Sequence, residues 1–488
     1  MKTNDATRLQ DSEAPGWAWV DRGCLALWVV ALFAATWRNM DLLGDSFWSV
    51  ATGQWILTHR RLPVEDPFSY TAERPWIVHM PLSQVLFACV MQRFGVMGLV
   101  LFGSLLFTGA LLLLWLPHAR GIAARMWVWP LVLWLVLRQA DDLCVRGQVF
   151  GDLGYAVLLL LLFRLRDGRA VHGAIAMALG CLWINLHASV FLAVVMPVGF
   201  GVAVLSAPAT RRPSLGPWVR FSALVAAGTL LNPYGIRLVA DLVTLMRASS
   251  THRIDLFRPP DFGSPGTWLS LALVVGSMIA SLGLRTPEAG VPEALVLGAL
   301  LLAGCTARRY EPLGLAFAIV VLGRILSRRL LAAAPRGRAF ARPARLAMAA
   351  AAAALSFREL AVDKDPWRDV PVVEARLIDE LGLPDRVANI YHWGGYLDYV
   401  WAGHRKVFID GRNQLYDRRV FDDSLRLASL NAWEAILDDY GVNTVLWERG
   451  SPLDRALGAS PDWVRVRRGR IAVVYVRRSA LGATPLSR

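Results

Sequence analysis

Long runs of apolar residues alternate with short polar connections along most of the sequence. Two examples are GLVLFGSLLFTGALLLLWL at residues 98–116 and AIVVLGRIL at residues 318–326. A helix needs about 20 mostly apolar residues to cross the roughly 30 Å hydrocarbon core of a bilayer. The pattern predicts a polytopic α-helical membrane protein with about 11 transmembrane helices. They fall near residues 23–38, 96–117, 126–140, 147–163, 170–184, 188–206, 219–231, 268–284, 292–305, 310–327 and 344–360.

Residues 79–95 are the segment that decides the topology. Their apolar part is only about a dozen residues long, which suits a helix lying in the membrane interface better than a span. If this segment does not cross, the arginine-rich loops share the face of the N-terminus, and such loops mark the cytoplasmic side. These loops contain Arg120, Arg125, Arg164, Arg166, Arg169, Arg211, Arg212, Arg220, Arg324, Arg328, Arg329, Arg336, Arg338, Arg342 and Arg345.

The chemically rich loops then collect on the opposite, outer face. We therefore expect a bacterial inner-membrane protein with a cytoplasmic N-terminus and an extracytoplasmic C-terminal segment. The predicted outer set comprises Asp41 to His79, Asp141, Asp142, Arg146, Asn185, His187, Asn232 to Thr267, Arg308, Arg309 and the tail from about residue 361.

The first outer loop is predicted to contain two interfacial helices. Asp45 is expected to cap a helix that begins at Ser46, because a carboxylate satisfies the free N–H groups of a helix start. Such a helix would lie on the membrane surface with its tryptophan rings at headgroup depth. Its apolar side carries Phe47, Trp48, Ala51 and Trp55. The prolines of RLPVEDPF force an extended return to the second helix.

The sequence changes character from about residue 361. The segments RVANIY, KVFID, NTVLWE, WVRVR and IAVVYVRR predict strands, and PVVEARLIDELG, RVFDDSLRLASL and AWEAILDDYG predict helices. We expect a cytoplasmic tail at residues 1–22, a transmembrane domain at 23–360 and an extracytoplasmic α/β domain at 361–488. WGGYLDYVW and FIDGRNQLY follow predicted strands, where α/β folds place functional loops.

Composition narrows the class of protein. The chain of 488 residues is 55% hydrophobic with a mean hydropathy of +0.41. Its net charge of +14 is explained by the positive-inside pattern rather than by a nucleic-acid partner. The five cysteines lie in or beside apolar segments, so no disulfide framework or Cys-X-X-Cys metal site is predicted.

Several motifs occur in an order that resembles the C-type (GT-C) membrane glycosyltransferase superfamily, and more closely a bacterial group of GT-C-like multi-spanning proteins. The motifs are GDSFWSVATGQWIL (44–57), DPFSYT (66–71), WINLHAS (183–189), NPYG (232–235), WGGYLDYVW (393–401) and FIDGRNQLY (408–416). The resemblance implies a donor sugar linked to a polyprenyl phosphate and an acidic catalytic base in the first outer loop. It also implies an extracytoplasmic acceptor, which is a lipid, a glycan or a protein.

The resemblance assigns the role of base to Asp45, which would take the proton of the acceptor hydroxyl. Arg146, Arg308 and Arg309 are placed to stabilise the phosphate that is released. His79, Asn185 and His187 are candidates for orienting sugar hydroxyls or phosphate oxygens. For Asp410 and Arg412 two interpretations stay open: contact with the acceptor or sugar, and a salt-bridged turn.

The need for a metal also stays open. The sequence lacks a clear second acidic motif with the spacing of the metal-using oligosaccharyltransferases. Asp141 and Asp142 are the nearby substitutes, so a divalent cation would have to be held by Asp45, Asp141 and Asp142. Two other functions remain as alternatives: a lipid or polysaccharide transporter, and a non-catalytic assembly protein of an envelope polysaccharide. A transporter needs polar groups at the bilayer midplane, whereas the predicted spans keep their ionisable residues at the ends.

Overall fold

The computed structural model describes residues 18–206, 214–249, 258–284, 289–332 and 335–481. Most of the predicted N-terminal tail, part of the predicted outer loop at 232–267, and Arg211 and Arg212 lie outside these residues. The described helices before residue 361 are α1 (Ala18–Asn39), α2 (Gly44–His59), α3 (Pro81–Trp115), α4 (Ile122–Arg138), α5 (Gln148–Arg166), α6 (Gly173–Leu186), α7 (Phe191–Val204), α8 (Gly216–Thr229), α9 (Ile236–Ser249), α10 (Pro265–Leu284), α11 (Val291–Thr306), α12 (Glu311–Ala332) and α13 (Pro335–Leu360).

The apolar helices occupy the sequence positions of the predicted spans, and the class of polytopic helical membrane protein is confirmed. Four of the described helices are long and apolar enough to cross a membrane, namely Trp19–Asn39, Pro81–Trp115, Gln148–Arg166 and Pro265–Leu284. Shorter apolar helices cover Gly173–Leu186, Ala188–Val204 and Val291–Thr306. The total of 11 spans stays a prediction.

Helix α9 differs from the expected pattern, whereas the break in α3 agrees with the expected helix at residues 79–95 that is separate from the next apolar run. Helix α3 is broken at Gly95, whose φ of 67° and ψ of −169° are not helical, so a short helix at residues 81–94 precedes the apolar stretch. Helix α9 lies in a segment expected to be loop. It was missed because polar residues interrupt its apolar positions, which gives an amphipathic rather than a uniformly apolar helix.

Helix α2 begins at Gly44, after an extended Leu43, and its start has no side-chain cap from Asp45. The prediction of an Asp45 cap is therefore wrong: Asp45 lies inside the first turn. The expected exposure of the tryptophan side to headgroups is also wrong, because Phe47, Trp48 and Ala51 are buried. Their side of α2 packs against the C-terminal part of the chain, where the Phe47 ring lies 5.4 Å from that of Tyr396.

The C-terminal α/β domain contains one mixed sheet with strand order β1-β2-β4-β3, in which β1 and β2 are parallel and the other pairs antiparallel. Its elements are α14 (Val372–Glu380), β1 (Val387–Asn389), α15 (Tyr391–Trp401), α16 (Arg418–Ala428), α17 (Trp433–Asp439), β2 (Thr444–Glu448), α18 (Pro452–Ala459), β3 (Trp463–Arg468) and β4 (Ala472–Arg477).

Two segments of this domain differ from their predictions. WGGYLDYVW, expected as a loop, forms helix α15. KVFID, expected as a strand, makes only isolated bridges, in which Val407 pairs with Ser69 and with Val387. Because Ser69 belongs to the connection between α2 and α3, this segment joins that connection to the domain. The Val407 amide donates to the Phe68 carbonyl (2.8 Å), and the Tyr70 amide donates to the Val407 carbonyl (3.2 Å).

Helices α2 and α15 cross at a point where each helix carries a glycine, Gly44 in α2 and Gly395 in α15. A Cβ atom at Gly395 would lie 2.0 Å from the carbonyl oxygen of Gly44, so only a hydrogen fits there. This contact fixes the start of α2, and with it Asp45, against the C-terminal domain.

Candidate functional site

A cavity of about 270 Å³ opens where the ends of several apolar helices meet the start of α2. Four acidic and four basic side chains line it, together with His187, Ser189, Gln148, Tyr155 and Tyr310. The charged residues are Asp45, Asp142, Asp152, Glu311, Arg138, Arg146, Arg308 and Arg309. Such a concentration of charge beside apolar helices is costly unless it is used, so this cavity is the candidate functional site.

Asp45 is held by two donors. The indole Nε1 of Trp48 donates to its Oδ1 (3.0 Å), and Nη1 of Arg146 donates to its Oδ2 (3.3 Å). Arg146 reaches Asp45 because the loop before α5 pairs with the loop after α1. The Asp41 amide donates to the Leu143 carbonyl (3.0 Å), and the Val145 amide donates to the Asp41 carbonyl (3.0 Å).

The backbone of the C-terminal domain approaches the same carboxylate. A Cβ atom at Gly411 would lie 2.5 Å from Oδ1 of Asp45 and 3.1 Å from Nε1 of Trp48. The FIDGRNQLY segment therefore forms a wall behind Asp45, with Gly411 at the point of contact.

Two further ion pairs join the helix ends around the cavity. Arg138 donates from Nε and Nη2 to both carboxylate oxygens of Glu311 (2.7 and 3.0 Å), and also to Oγ1 of Thr267 (3.1 Å). Arg308 donates from Nη2 to Oδ2 of Asp142. These pairs connect the end of α4 to the segment between α11 and α12, which gives the cavity its shape.

Arg309 and His187 lie on the cavity wall with altered proton affinities. Burial lowers the pKa of the Arg309 guanidinium, whose carbon lies 5.7 Å from the centre of the Tyr310 ring. Burial, together with the positive charges of Arg309 and Arg146, lowers the pKa of His187 to about 3. His187 is therefore neutral near pH 7, and its Nδ1 lies 2.7 Å from Oγ of Ser189.

His79 and Asn185, which were predicted to face the substrate, have structural partners instead. Nε2 of His79 lies 2.5 Å from Oδ2 of Asp241 in α9, and the histidine is buried. The amide of Asn185 donates to the carbonyls of Cys181 (2.8 Å) and Leu231 (2.9 Å), which ties α6 to the end of α8. Neither residue lines the cavity.

Asp410 and Arg412 form a salt-bridged turn, the second of the two interpretations. Both are fully buried. Nη1 of Arg412 donates to Oδ1 of Asp66 (2.5 Å) and Nη2 donates to Oδ2 of Asp410 (2.5 Å). The hydroxyl of Tyr416 also donates to Asp410 (2.6 Å). The expected contact of Asp410 and Arg412 with acceptor or sugar is corrected accordingly: they hold Gly411 in place and do not line the cavity.

The predicted metal-binding trio is not assembled in the described part of the chain. Asp141 is exposed in a short 3-10 helix, Asp142 is paired with Arg308, and Asp45 is paired with Arg146. No group of three or more His, Cys, Asp or Glu side chains that could hold a metal ion occurs among the described residues.

Sequence reasoning missed several cavity residues. Asp152, in the second turn of α5, accepts from Nε2 of Gln148 (3.2 Å). It lies within the predicted span 147–163, and an acid inside an apolar run is a signal that could have singled it out. Arg138 and Glu311 were missed because they lie at the ends of different spans, and only the fold brings them together.

No family model and no curated protein matches the chain. Its fold is similar to that of the oligosaccharyltransferase of Archaeoglobus fulgidus tethered with an acceptor peptide containing the NVT sequon, with a TM-score of 0.53, 12% identity, and coverage of 87% of this chain and 69% of that chain. The enzyme AglB of the same archaeon, in complex with an inhibitory peptide and a dolichol-phosphate, has the same TM-score, identity and coverage. ArnT from Cupriavidus metallidurans bound to undecaprenyl phosphate has a TM-score of 0.48 at 12% identity over 95% of this chain and 98% of that chain.

The fold is therefore similar to that of the membrane-embedded oligosaccharyltransferase of Archaeoglobus fulgidus. The resemblance predicted from the order of the sequence motifs is thereby confirmed at the level of the fold.

Proposed function

We propose that this protein is a membrane glycosyltransferase that moves a sugar from a polyprenyl-phosphate carrier to an acceptor on the outer side of the bacterial inner membrane. The observation that carries the proposal is the position of Asp45 in a cavity that four arginines also line. The fold supports it, and so does the dolichol-phosphate bound to AglB.

Asp45 acts as the general base in this proposal. Its carboxylate accepts the proton of the acceptor hydroxyl while the hydroxyl oxygen attacks the anomeric carbon of the donor sugar. The bond from that carbon to the phosphate oxygen breaks, and the polyprenyl phosphate leaves with the electron pair. Because a phosphate is already a good leaving group, the second, protonated carboxyl group of ordinary glycosidases is not needed.

Arg146 and Arg309 are the residues proposed to stabilise the departing phosphate, since guanidinium groups bind phosphate oxygens through paired hydrogen bonds. Arg308 lines the same cavity and is a further candidate for the phosphate. The pairs of Arg308 with Asp142 and of Arg138 with Glu311 shape the cavity. Neutral His187 is suited to a hydrogen bond with a sugar hydroxyl.

The orientation in the membrane is part of the proposal. Arg166 pairs with the buried Glu293 at the end of α5 that is opposite Asp152 and the cavity. Further arginine pairs join Arg324 to Asp167 and Arg345 to Asp21. Arginine-rich helix ends favour the cytoplasmic side. This distribution supports the proposed orientation, in which the N-terminus is cytoplasmic and the cavity lies on the outer face.

The test is to measure release of undecaprenyl phosphate from a panel of undecaprenyl phosphates that carry different hexoses and pentoses, with the purified protein in detergent and a cell-envelope extract as the source of the acceptor. Asp45→Asn keeps the shape of the side chain and removes the base, so we expect transfer to fall by about 10²–10⁴-fold. Asp41→Asn, four residues earlier and exposed, removes the same charge and serves as the matched control.

Retained transfer in Asp45→Asn would rule out this residue as the base. A wild-type protein that binds these donors but releases no undecaprenyl phosphate would favour a transporter or a non-catalytic assembly protein. Repeating the assay with a chelator tests the divalent cation: loss of transfer that added Mg²⁺ or Mn²⁺ restores would show that one is needed, and unchanged transfer would show that none is.

A further inference from the structure

A second cavity, of about 680 Å³, lies in the C-terminal α/β domain and is separate from the transfer site. It lies between α14, α15 and the turn that connects β3 to β4. Three aromatic rings line it, those of Trp367, Tyr396 and Tyr399. Three arginines and one glutamate also line it, namely Arg376, Arg467, Arg470 and Glu374.

The charge of this cavity favours an anionic occupant. The three arginines exceed the single acidic residue, and that residue, Glu374, is buried against the backbone of Gly469. Arg376 and Arg467 are exposed, and within the described chain no side-chain hydrogen bond or ion pair holds either of them. Guanidinium groups bind phosphate oxygens more selectively than other cations because their donors match the phosphate geometry.

The position of the cavity points to the membrane surface. Trp367 lies in the connection from α13 to α14, and Lys364 of the same connection donates to the carbonyl of Met40, directly after α1. Because α1 is one of the helices able to cross the membrane, its end marks the headgroup level. Aromatic residues are enriched at that level. Val373, which also lines the cavity, keeps 56% of its surface exposed.

We propose that this cavity binds the phosphate headgroup of a membrane lipid. The arginines contact the phosphate, and the aromatic rings and Val373 contact the apolar part of the lipid where it leaves the bilayer. The rings of Trp367, Tyr396 and Tyr399 pack on Phe47 of α2 on their other side, with centroids 5.4 to 5.8 Å away. A lipid bound there lies against the helix that carries Asp45, but the proposal does not depend on glycosyl transfer.

The experiment is native mass spectrometry of the full chain with phosphatidylglycerol or phosphatidylcholine of identical acyl chains. We expect selective retention of phosphatidylglycerol by the wild type and at least a fivefold loss of that retention in Arg376→Gln/Arg467→Gln. The double variant Arg418→Gln/Arg455→Gln is the matched control, because it removes the same charge from exposed positions of the same domain outside the cavity.

Three outcomes would overturn the proposal. Equal loss in both double variants would indicate a general effect of charge. Equal retention of the two lipids by the wild type would exclude recognition of an anionic headgroup. Displacement of phosphatidylglycerol by an equal concentration of soluble glycerol phosphate would identify a free phosphate compound, not a lipid, as the occupant. Melting temperatures of the variants, which alter only exposed side chains, check that they remain folded.

Discussion

Gly411→Ala is the smallest change that tests whether the C-terminal domain positions the candidate base. The new Cβ atom would lie 2.5 Å from Oδ1 of Asp45 and 3.1 Å from Nε1 of Trp48. Ordinary contacts between carbon and oxygen are closer to about 3.3–3.6 Å, so the carboxylate has to move by about 1 Å. The backbone angles of Gly411 are open to alanine, and therefore the effect comes from this contact alone.

The displaced carboxylate cannot keep both of its hydrogen bonds, the one from Trp48 at 3.0 Å and the one from Arg146 at 3.3 Å. A misplacement of about 1 Å costs an enzyme on the order of 10²-fold in rate. That factor corresponds to about 2.7 kcal/mol of transition-state stabilisation. We expect kcat for release of undecaprenyl phosphate to fall by this factor, while KM for the donor changes much less.

The control for this variant is Gly109→Ala, because a Cβ atom at Gly109 meets nothing within 4 Å. Both variants should melt within a few degrees of the wild type. Wild-type kcat in Gly411→Ala would refute the positioning role of this wall. Gly411→Ala is interpreted only if Asp45→Asn abolishes release of undecaprenyl phosphate. If Asp45→Asn remains active, the glycosyltransferase proposal fails independently of the result for Gly411→Ala.

Three other predictions follow from the same contacts. Trp48→Phe keeps the ring but removes the donor to Asp45, and we expect kcat to fall about tenfold without loss of donor binding, as measured in the release assay. Arg412→Ala leaves buried carboxylates without their cation, so we expect a loss of about 3–5 kcal/mol in the free energy of unfolding, measured by denaturant titration; unchanged stability would contradict the buried pairing. Burial and the neighbouring charge of Asp410 raise the pKa of Asp398 well above its ordinary value. The folded protein thus holds a proton that the unfolded chain releases above about pH 4. Stability should fall with rising pH, at up to about 1.4 kcal/mol per pH unit, until the folded-state pKa is passed. Asp398→Asn mimics the protonated acid, so its melting temperature should rise relative to the wild type between pH 5 and pH 8, and parallel curves would refute this reasoning.

Much of the fold could be predicted from the sequence because a single physical quantity, the length of apolar runs, determines where helices can cross a bilayer. The predicted number of spans also indicates which loops share one face of the membrane. On that basis we expect Asp45, Arg146, His187, Arg308 and Arg309 to lie near each other. All of them line one cavity.

Predictions from local sequence patterns were wrong where a residue distant in the sequence determines the environment of a side chain. The amphipathic side of α2 was assigned to lipid because nothing in its own sequence identifies Tyr396 as its neighbour. His79 and Asn185 were assigned to substrate because their partners, Asp241 and Leu231, belong to other segments. The spacing of apolar residues indicates which side of a helix is apolar, but it does not indicate whether lipid or protein covers that side.

The position of Asp45 depends on both parts of the chain. The loop before α5 supplies its charged neighbour, Arg146, and the C-terminal domain supplies the wall at Gly411. That wall is fixed by the pairing of Arg412 with Asp66, residues 346 positions apart in the sequence. Because Asp66 follows the helix that carries Asp45, this part of the chain and the C-terminal domain constrain each other. Substitution of Asp66, Asp410 or Arg412 should therefore alter the position of the Asp45 carboxylate, although none of these three side chains lines the cavity.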